Sequence, residues 1–138
     1  MDAIDMLDDY ISTLWAKAVD TPFPPIPRRR CGDATVYVEC RRGRYWLICE
    51  ERGEEYWRRE ATDMDDAAFQ LISIVAGELV RDRELEFREN TARCFSGSND
   101  DSRWNWMYEI ELMSAIKDSY GTQTTVNYLD VLRQCPLS

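Results

Sequence analysis

Residues 35–57 spell TVYVECRRGRYWLICEERGEEYW, and the alternation inside this stretch decides the fold. Val36, Val38 and Cys40 alternate with Thr35, Tyr37 and Glu39, the two-residue period of a half-buried strand. Arg42-Gly43 supplies a two-residue hairpin turn, since glycine accepts the left-handed backbone that such turns require. In that register Cys40 faces Tyr45, so Tyr45, Leu47 and Cys49 join Val36, Val38 and Cys40 on one face, the expected core. A second turn at Arg52-Gly53 predicts Cys49 opposite Tyr56 and Ile48 opposite Trp57. That pairing puts Tyr37, Ile48 and Trp57 on the other face, with Trp46 nearby. Two uses fit this aromatic face: packing under the N-terminal helix, or exposure to a partner.

Helices flank the meander. Ile4, Leu7, Ile11, Leu14, Trp15 and Ala18 recur at spacings of three and four, predicting an amphipathic helix over 3–19. Its other face carries Asp2, Asp5, Asp8 and Asp9, near the end where the helix dipole favours negative charge. Pro22, Pro24, Pro25 and Pro27 hold the following chain extended, and Arg28, Arg29 and Arg30 read as a solvated loop or a partner for the acidic helices. A second helix starts at Thr62 or Asp63, with Met64, Ala68, Leu71, Ile72, Val75 and Leu79 as its apolar stripe. The charge-dense residues 81–93 fit either an extension of that helix or an edge strand.

After the loop-forming residues 96–101, a third helix capped by Asp101 or Ser102 is predicted to carry Trp104, Met107, Tyr108, Leu112 and Ala115. A fourth, capped by Thr122 or Thr124 after Gly121, is predicted to bury Tyr128, Leu129, Val131 and Leu132 and to end before Pro136. The expectation is one α+β domain over residues 1–138: a three-stranded antiparallel meander packed with an N-terminal helix and about three C-terminal helices.

Composition points to recognition over catalysis. The chain has no histidine, which removes the commonest general base and the commonest metal ligand. It has five Trp and seven Tyr, side chains that anchor interfaces, and a net charge of −9. The charge is uneven: residues 61–101 carry −6 and residues 21–60 carry +2. Such a chain repels nucleic acid and attracts a basic partner. The acidic start, Asp2 and Asp5, is unlike a secretory signal, no apolar run approaches a membrane span, and the expected location is the cytoplasm.

No chemical motif in the sequence is complete. The five Cys lack the CxxC spacing of a zinc site and read as free thiols. Asp63, Asp65 and Asp66 suggest a calcium loop, but Ala68 and Ile74 stand where it needs Gly and Glu, and helix capping accounts for the three acids. No phosphate loop, nucleophile elbow or Cys–His pair is present. No metal, cofactor or catalytic residue is therefore expected.

Ser102-Arg103-Trp104, Glu109-Ile110-Glu111-Leu112-Met113 and Tyr128-Leu129-Asp130-Val131-Leu132, closing on Pro136, resemble bacterial polymorphic-toxin immunity proteins, in particular the immunity family numbered sixty-three. The meander with Tyr45-Trp46-Leu47 and Glu50-Glu51-Arg52-Gly53 before a capped helix matches the same layout. The resemblance implies a small cytoplasmic protein of the contact-dependent inhibition type, encoded beside a toxin. Such a protein binds the toxin's C-terminal domain one to one and blocks its active site or substrate entry. A basic nuclease suits the acidic charge, with Asp63, Asp65, Asp66, Asp100 and Asp101 as contacts and Trp46 and Trp57 as aromatic anchors. A reading from another class, an adaptor or secretion chaperone gripping an extended client segment, would use the same charge and aromatic face.

Overall fold

The computed structural model describes residues 2–29, 35–91 and 106–135. The fold is α+β, with elements α1 (Ala3–Trp15), β1 (Val36–Arg41), β2 (Arg44–Glu51), β3 (Glu54–Glu60), α2 (Met64–Thr91), α3 (Trp106–Ile116) and α4 (Asp118–Gln134). The chain divides into two compact units, Met1–Ile72 and Ser73–Ser138.

In the first unit the strands form one antiparallel sheet in the order β1-β2-β3. Both hairpins turn as expected: Arg42 and Gly43 have φ of 54° and 76°, and Arg52 and Gly53 have 53° and 81°. Two successive left-handed residues make a type I′ turn, whose twist matches that of the flanking strands. The first hairpin has the expected register, Val36 opposite Cys49, Val38 opposite Leu47 and Cys40 opposite Tyr45.

The second register differs from expectation. Glu50 pairs with Glu55, but Cys49 pairs with Trp57, so Tyr56 is an extra residue at a bulge. The bulge moves every later residue of β3 to the opposite face. Trp57 therefore shares a face with Cys49 and Leu47, while Arg58 and Glu60 share the other with Ile48 and Trp46. Bulges leave no mark in the apolar alternation of so short a strand, and this one exposes Tyr56 at 68%.

α1 lies on the Val38–Leu47 face, since the Tyr45 hydroxyl donates to the Ala3 carbonyl at 2.6 Å. The aromatic face is therefore not the one that takes the N-terminal helix. Leu7, Ile11, Leu14 and Trp15 of α1 are buried, as are Val38, Leu47 and Cys49 of the sheet and Ala67, Ala68, Leu71 and Ile72 of α2. Each large aliphatic side chain so enclosed stabilises the fold by about 2 kcal/mol. α1 ends at Trp15, earlier than expected, because residues 14–18 tighten into i→i+3 bonds from Lys17 to Leu14 and from Ala18 to Trp15. The Trp15 indole donates to the Thr21 carbonyl at 3.0 Å and meets Phe23 edge-on, which turns the chain into the proline segment. That segment lies along the outer edge of β1, where the Val38 amide donates to the Pro27 carbonyl at 2.9 Å. Arg28 then reaches back to Asp2 at 3.0 Å and to Asp5, so it serves the acidic helix.

The described residues of the second unit are almost all helical. Residues 81–91 continue α2, and nothing of an edge strand is formed there. α3 and α4 cross at Gly121, where an added methyl would lie 2.8 Å from the Ser114 Cα. α4 starts at Asp118, so Gly121 sits inside the helix as the crossing point and not as a boundary. The phase of both helices differs from expectation as a result. Glu109, Met113, Ile116, Tyr120 and Thr124 are buried, whereas Met107, Tyr108, Leu129 and Val131 are exposed. Trp104 lies outside the described residues.

Two substitutions check this account by thermal denaturation. Arg42→Asn should raise stability by roughly 0.5 kcal/mol, because asparagine tolerates the left-handed region better than arginine, while Gly43→Ala should lower it by about 1 kcal/mol. Gly121→Ala should cost about 2 kcal/mol or more, since the obstructing atoms include helix backbone.

Candidate functional site

The acids at the start of α2 are drawn together by capping. The Asp63 carboxylate accepts the Asp66 amide at 2.7 Å, and the Asp66 carboxylate reaches back to the Thr62 amide at 2.9 Å. The first bond satisfies one of the amides that every helix start leaves open, and the second ties the residue before the cap to the first turn. Asp66 also accepts the Gln70 side-chain amide at 3.1 Å, and Asp65 accepts the Tyr10 hydroxyl of α1 at 2.6 Å. Asp63 is exposed, and Asp65 and Asp66 are half-buried. Thus three of the five expected acids form one cluster whose carboxylates already hold structural bonds. Asp100 and Asp101 lie outside the described residues. No three Cys, Asp or Glu side chains among the described residues are arranged to hold a metal ion.

The two tryptophans are not neighbours on one surface, because the bulge at Tyr56 places them on opposite faces of the sheet. Trp57 is half-buried with the Arg59 guanidinium 4.6 Å from its ring centre. Trp46 is half-buried too, with Arg58 at 5.8 Å. Around Trp46 runs a groove of about 600 Å³ lined by Arg41, Arg42, Arg44, Trp46 and Arg58. Glutamates stand behind three of these arginines: Glu39 at 2.8 Å from Arg41, Glu60 at 2.7 Å from Arg44, and Glu55 at 2.8 Å from Arg58. Glu55 reaches Arg58 because the bulge makes residues 55 and 58 successive on one face. On the same face the Tyr37 hydroxyl donates to Glu50 at 2.9 Å, and burial together with that carboxylate pushes the phenol pKa up.

Sequence reasoning named Trp46 but passed over this arginine ring. The signal was available in principle: Arg41, Arg44 and Arg58 fall on the Trp46 face once the register is known.

A further polar centre lies in the second unit. Glu109 is 8% exposed and accepts the Tyr128 hydroxyl, while Trp106 stacks on the Tyr128 ring at 3.9 Å with 6° between planes. Gly77 of α2 leaves room for the carboxylate, whose Oε1 lies 3.5 Å from where a methyl would stand. Burial raises the Glu109 carboxyl above its usual range, while Tyr128 and Arg81 pull it back. Tyr128 is raised as well, by burial and then by Glu109. Both residues belong to the segments that carry the family resemblance, and the geometry gives them a role in packing the helices.

The acid cluster and the arginine groove are two charged, partly open surfaces among the described residues of the first unit. The model of the immunity protein 63 family matches residues 42–130, which run from the first hairpin turn into α4. The chain belongs to the immunity protein 63 family. No curated protein and no solved structure gives a significant match to it.

The buried carboxyl yields a pH prediction. A raised carboxyl pKa means that the folded chain holds this proton more tightly than the unfolded chain. Its contribution to stability is full below the ordinary carboxylate range and is lost as pH rises through the raised value. Glu109→Gln can still accept the Tyr128 hydroxyl but never ionises. Its melting temperature relative to the parent should therefore climb as pH rises from the ordinary carboxylate range through the raised value, followed by circular dichroism.

Proposed function

We propose that this immunity protein binds the C-terminal domain of a secreted bacterial toxin, one to one in the cytoplasm, and neutralises it by covering its active site or substrate entry. The observation that carries the reading is the family match, which spans 89 of the 138 residues, from 42 to 130. The chain then acts by occupancy and needs no chemistry of its own. The match favours this over an adaptor that grips an extended client.

The toxin that fits is basic, and a nuclease is the simplest case, because a domain built to hold polyphosphate offers positive charge to an inhibitor of charge −9. Asp63, Asp65 and Asp66 at the start of α2, with Asp100 and Asp101, are the proposed acidic contacts. Trp46 and Trp57 are the proposed aromatic anchors. Because the sheet presents them on opposite faces, one engages the toxin centrally and the other lies toward the rim.

Co-expression of the chain with the toxin domain encoded beside its gene should restore growth to cells that the toxin alone arrests. Continued arrest at equal toxin levels would exclude neutralisation. Asparagine variants separate charge from structure, since asparagine still caps helices and still accepts hydrogen bonds. Replacing Asp63, Asp65, Asp66, Asp100 and Asp101 with Asn should slow association about tenfold at low salt and flatten its salt dependence, measured by stopped flow. An unchanged rate would sink the electrostatic contact set.

A further inference from the structure

The groove around Trp46 runs against the character of the chain. On a protein of charge −9, its lining is four arginines and a tryptophan, with no carboxylate among them. We propose that this groove receives an acidic segment of the toxin domain, with a carboxylate on the guanidinium groups and a flat or apolar side chain on the Trp46 ring.

The chemistry of the lining selects the occupant. Guanidinium groups donate and never accept, and an indole nitrogen only donates. The five lining side chains therefore offer hydrogen-bond donors and a ring face, and only a ligand rich in acceptors can satisfy them. Planar guanidinium groups match planar carboxylates, to which they can donate two parallel bonds. Arg41, Arg44 and Arg58 each spend some donors on Glu39, Glu60 and Glu55, and retain others among five N–H groups. Arg42, at the turn, forms no ion pair among the described residues and is exposed. Its φ of 54° is one that arginine adopts at a cost, where asparagine would serve the turn better. Retaining a long cation in a strained position is explained if the cation has work outside the fold.

The surroundings favour a peptide over a nucleic acid. The three glutamates that hold the arginines would repel a run of phosphates, and so would the net charge of the chain. A single carboxylate or a short acidic stretch meets far less of that repulsion. On the arginine side the pairs are open, Arg41 62% and Arg44 68% exposed, with Glu39 and Glu60 half-buried behind them, so an incoming carboxylate meets the guanidinium groups first. A toxin that is basic overall and carries an acidic stretch locally would meet both charged surfaces of the first unit, which fixes the orientation of docking.

This proposal rests on the toxin-binding reading, and calorimetric titration with the toxin domain encoded beside the gene keeps the two apart. Against the wild-type chain, Arg42→Asn should weaken binding about tenfold while its melting temperature stays equal or rises, so a folding defect cannot explain the loss. Arg42→Glu should weaken it about a hundredfold through repulsion, and Trp46→Ala at least tenfold with the charge unchanged. Tight binding by the wild type and equal binding by all three variants would overturn the groove and leave the toxin-binding reading standing. No binding by the wild type would overturn both. A labelled single-stranded RNA that binds the wild type at about 0.15 M salt and loses binding in Arg42→Asn would overturn the acidic-peptide occupant in favour of nucleic acid.

Discussion

Two Arg-Gly turns govern the first unit of this protein. Each confines two successive residues to positive φ, which leaves the flanking strands a single way to pair. The hairpin from Val36 to Glu51 follows that rule without interruption, and its face pattern of Val38, Leu47 and Tyr45 then dictates where α1 can dock. The second hairpin obeys its turn but takes up one extra residue at Tyr56. The placement of the β3 charges depends on that step. In an unbulged register, with Tyr56 opposite Cys49, Arg58 would leave the Trp46 face, Glu55 and Arg58 would point apart, and Trp57 would join Trp46.

The electrostatics divide along the same line. Carboxylates gather at helix starts: Asp2 and Asp5 at α1, where Arg28 clasps them and the Asp5 amide holds the Asp2 carboxyl below its usual range, and Asp63 with Asp66 at α2. On the sheet arginines and glutamates are mixed, and Arg41, Arg42, Arg44 and Arg58 are the ones that line the Trp46 groove. Helix dipoles and open amides explain the first distribution with no partner in view. They do not explain the second, since strands have no comparable dipole. The acids are thus employed as caps, whereas three of the arginines around Trp46 are held by Glu39, Glu55 and Glu60.

Much of this was legible in residue order. Strand alternation, both turns, the acidic caps and the α+β class follow from side-chain period and from what glycine and aspartate do locally. The bulge was not legible, because Tyr56 and Trp57 are both aromatic and either suits a half-buried position opposite Cys49. The phase of α3 and α4 was misread for a related reason. Gly121 looks like a helix boundary by propensity, yet it lies in the helix so that Ser114 can come close. Once that crossing is set, Met113, Ile116 and Tyr120 turn inward with Glu109, a carboxylate no apolar stripe would nominate. The acid contacts proposed from sequence prove to form a cluster in the case of Asp63, Asp65 and Asp66, but the two tryptophans are separated by the sheet itself.

β3 ends the sheet, and its outer edge is where another extended chain would most readily attach. The strand meets that exposure with Glu54, Glu55, Arg58, Arg59 and Glu60, and with an irregular step at Tyr56 that a straight newcomer cannot follow rung for rung. An open edge of that kind invites pairing between copies of the same chain. The same irregular step that sets Arg58 on the Trp46 face also breaks the rung pattern of this edge, so one local feature both shapes the charged groove and blunts the open side of the sheet against fibril-like stacking.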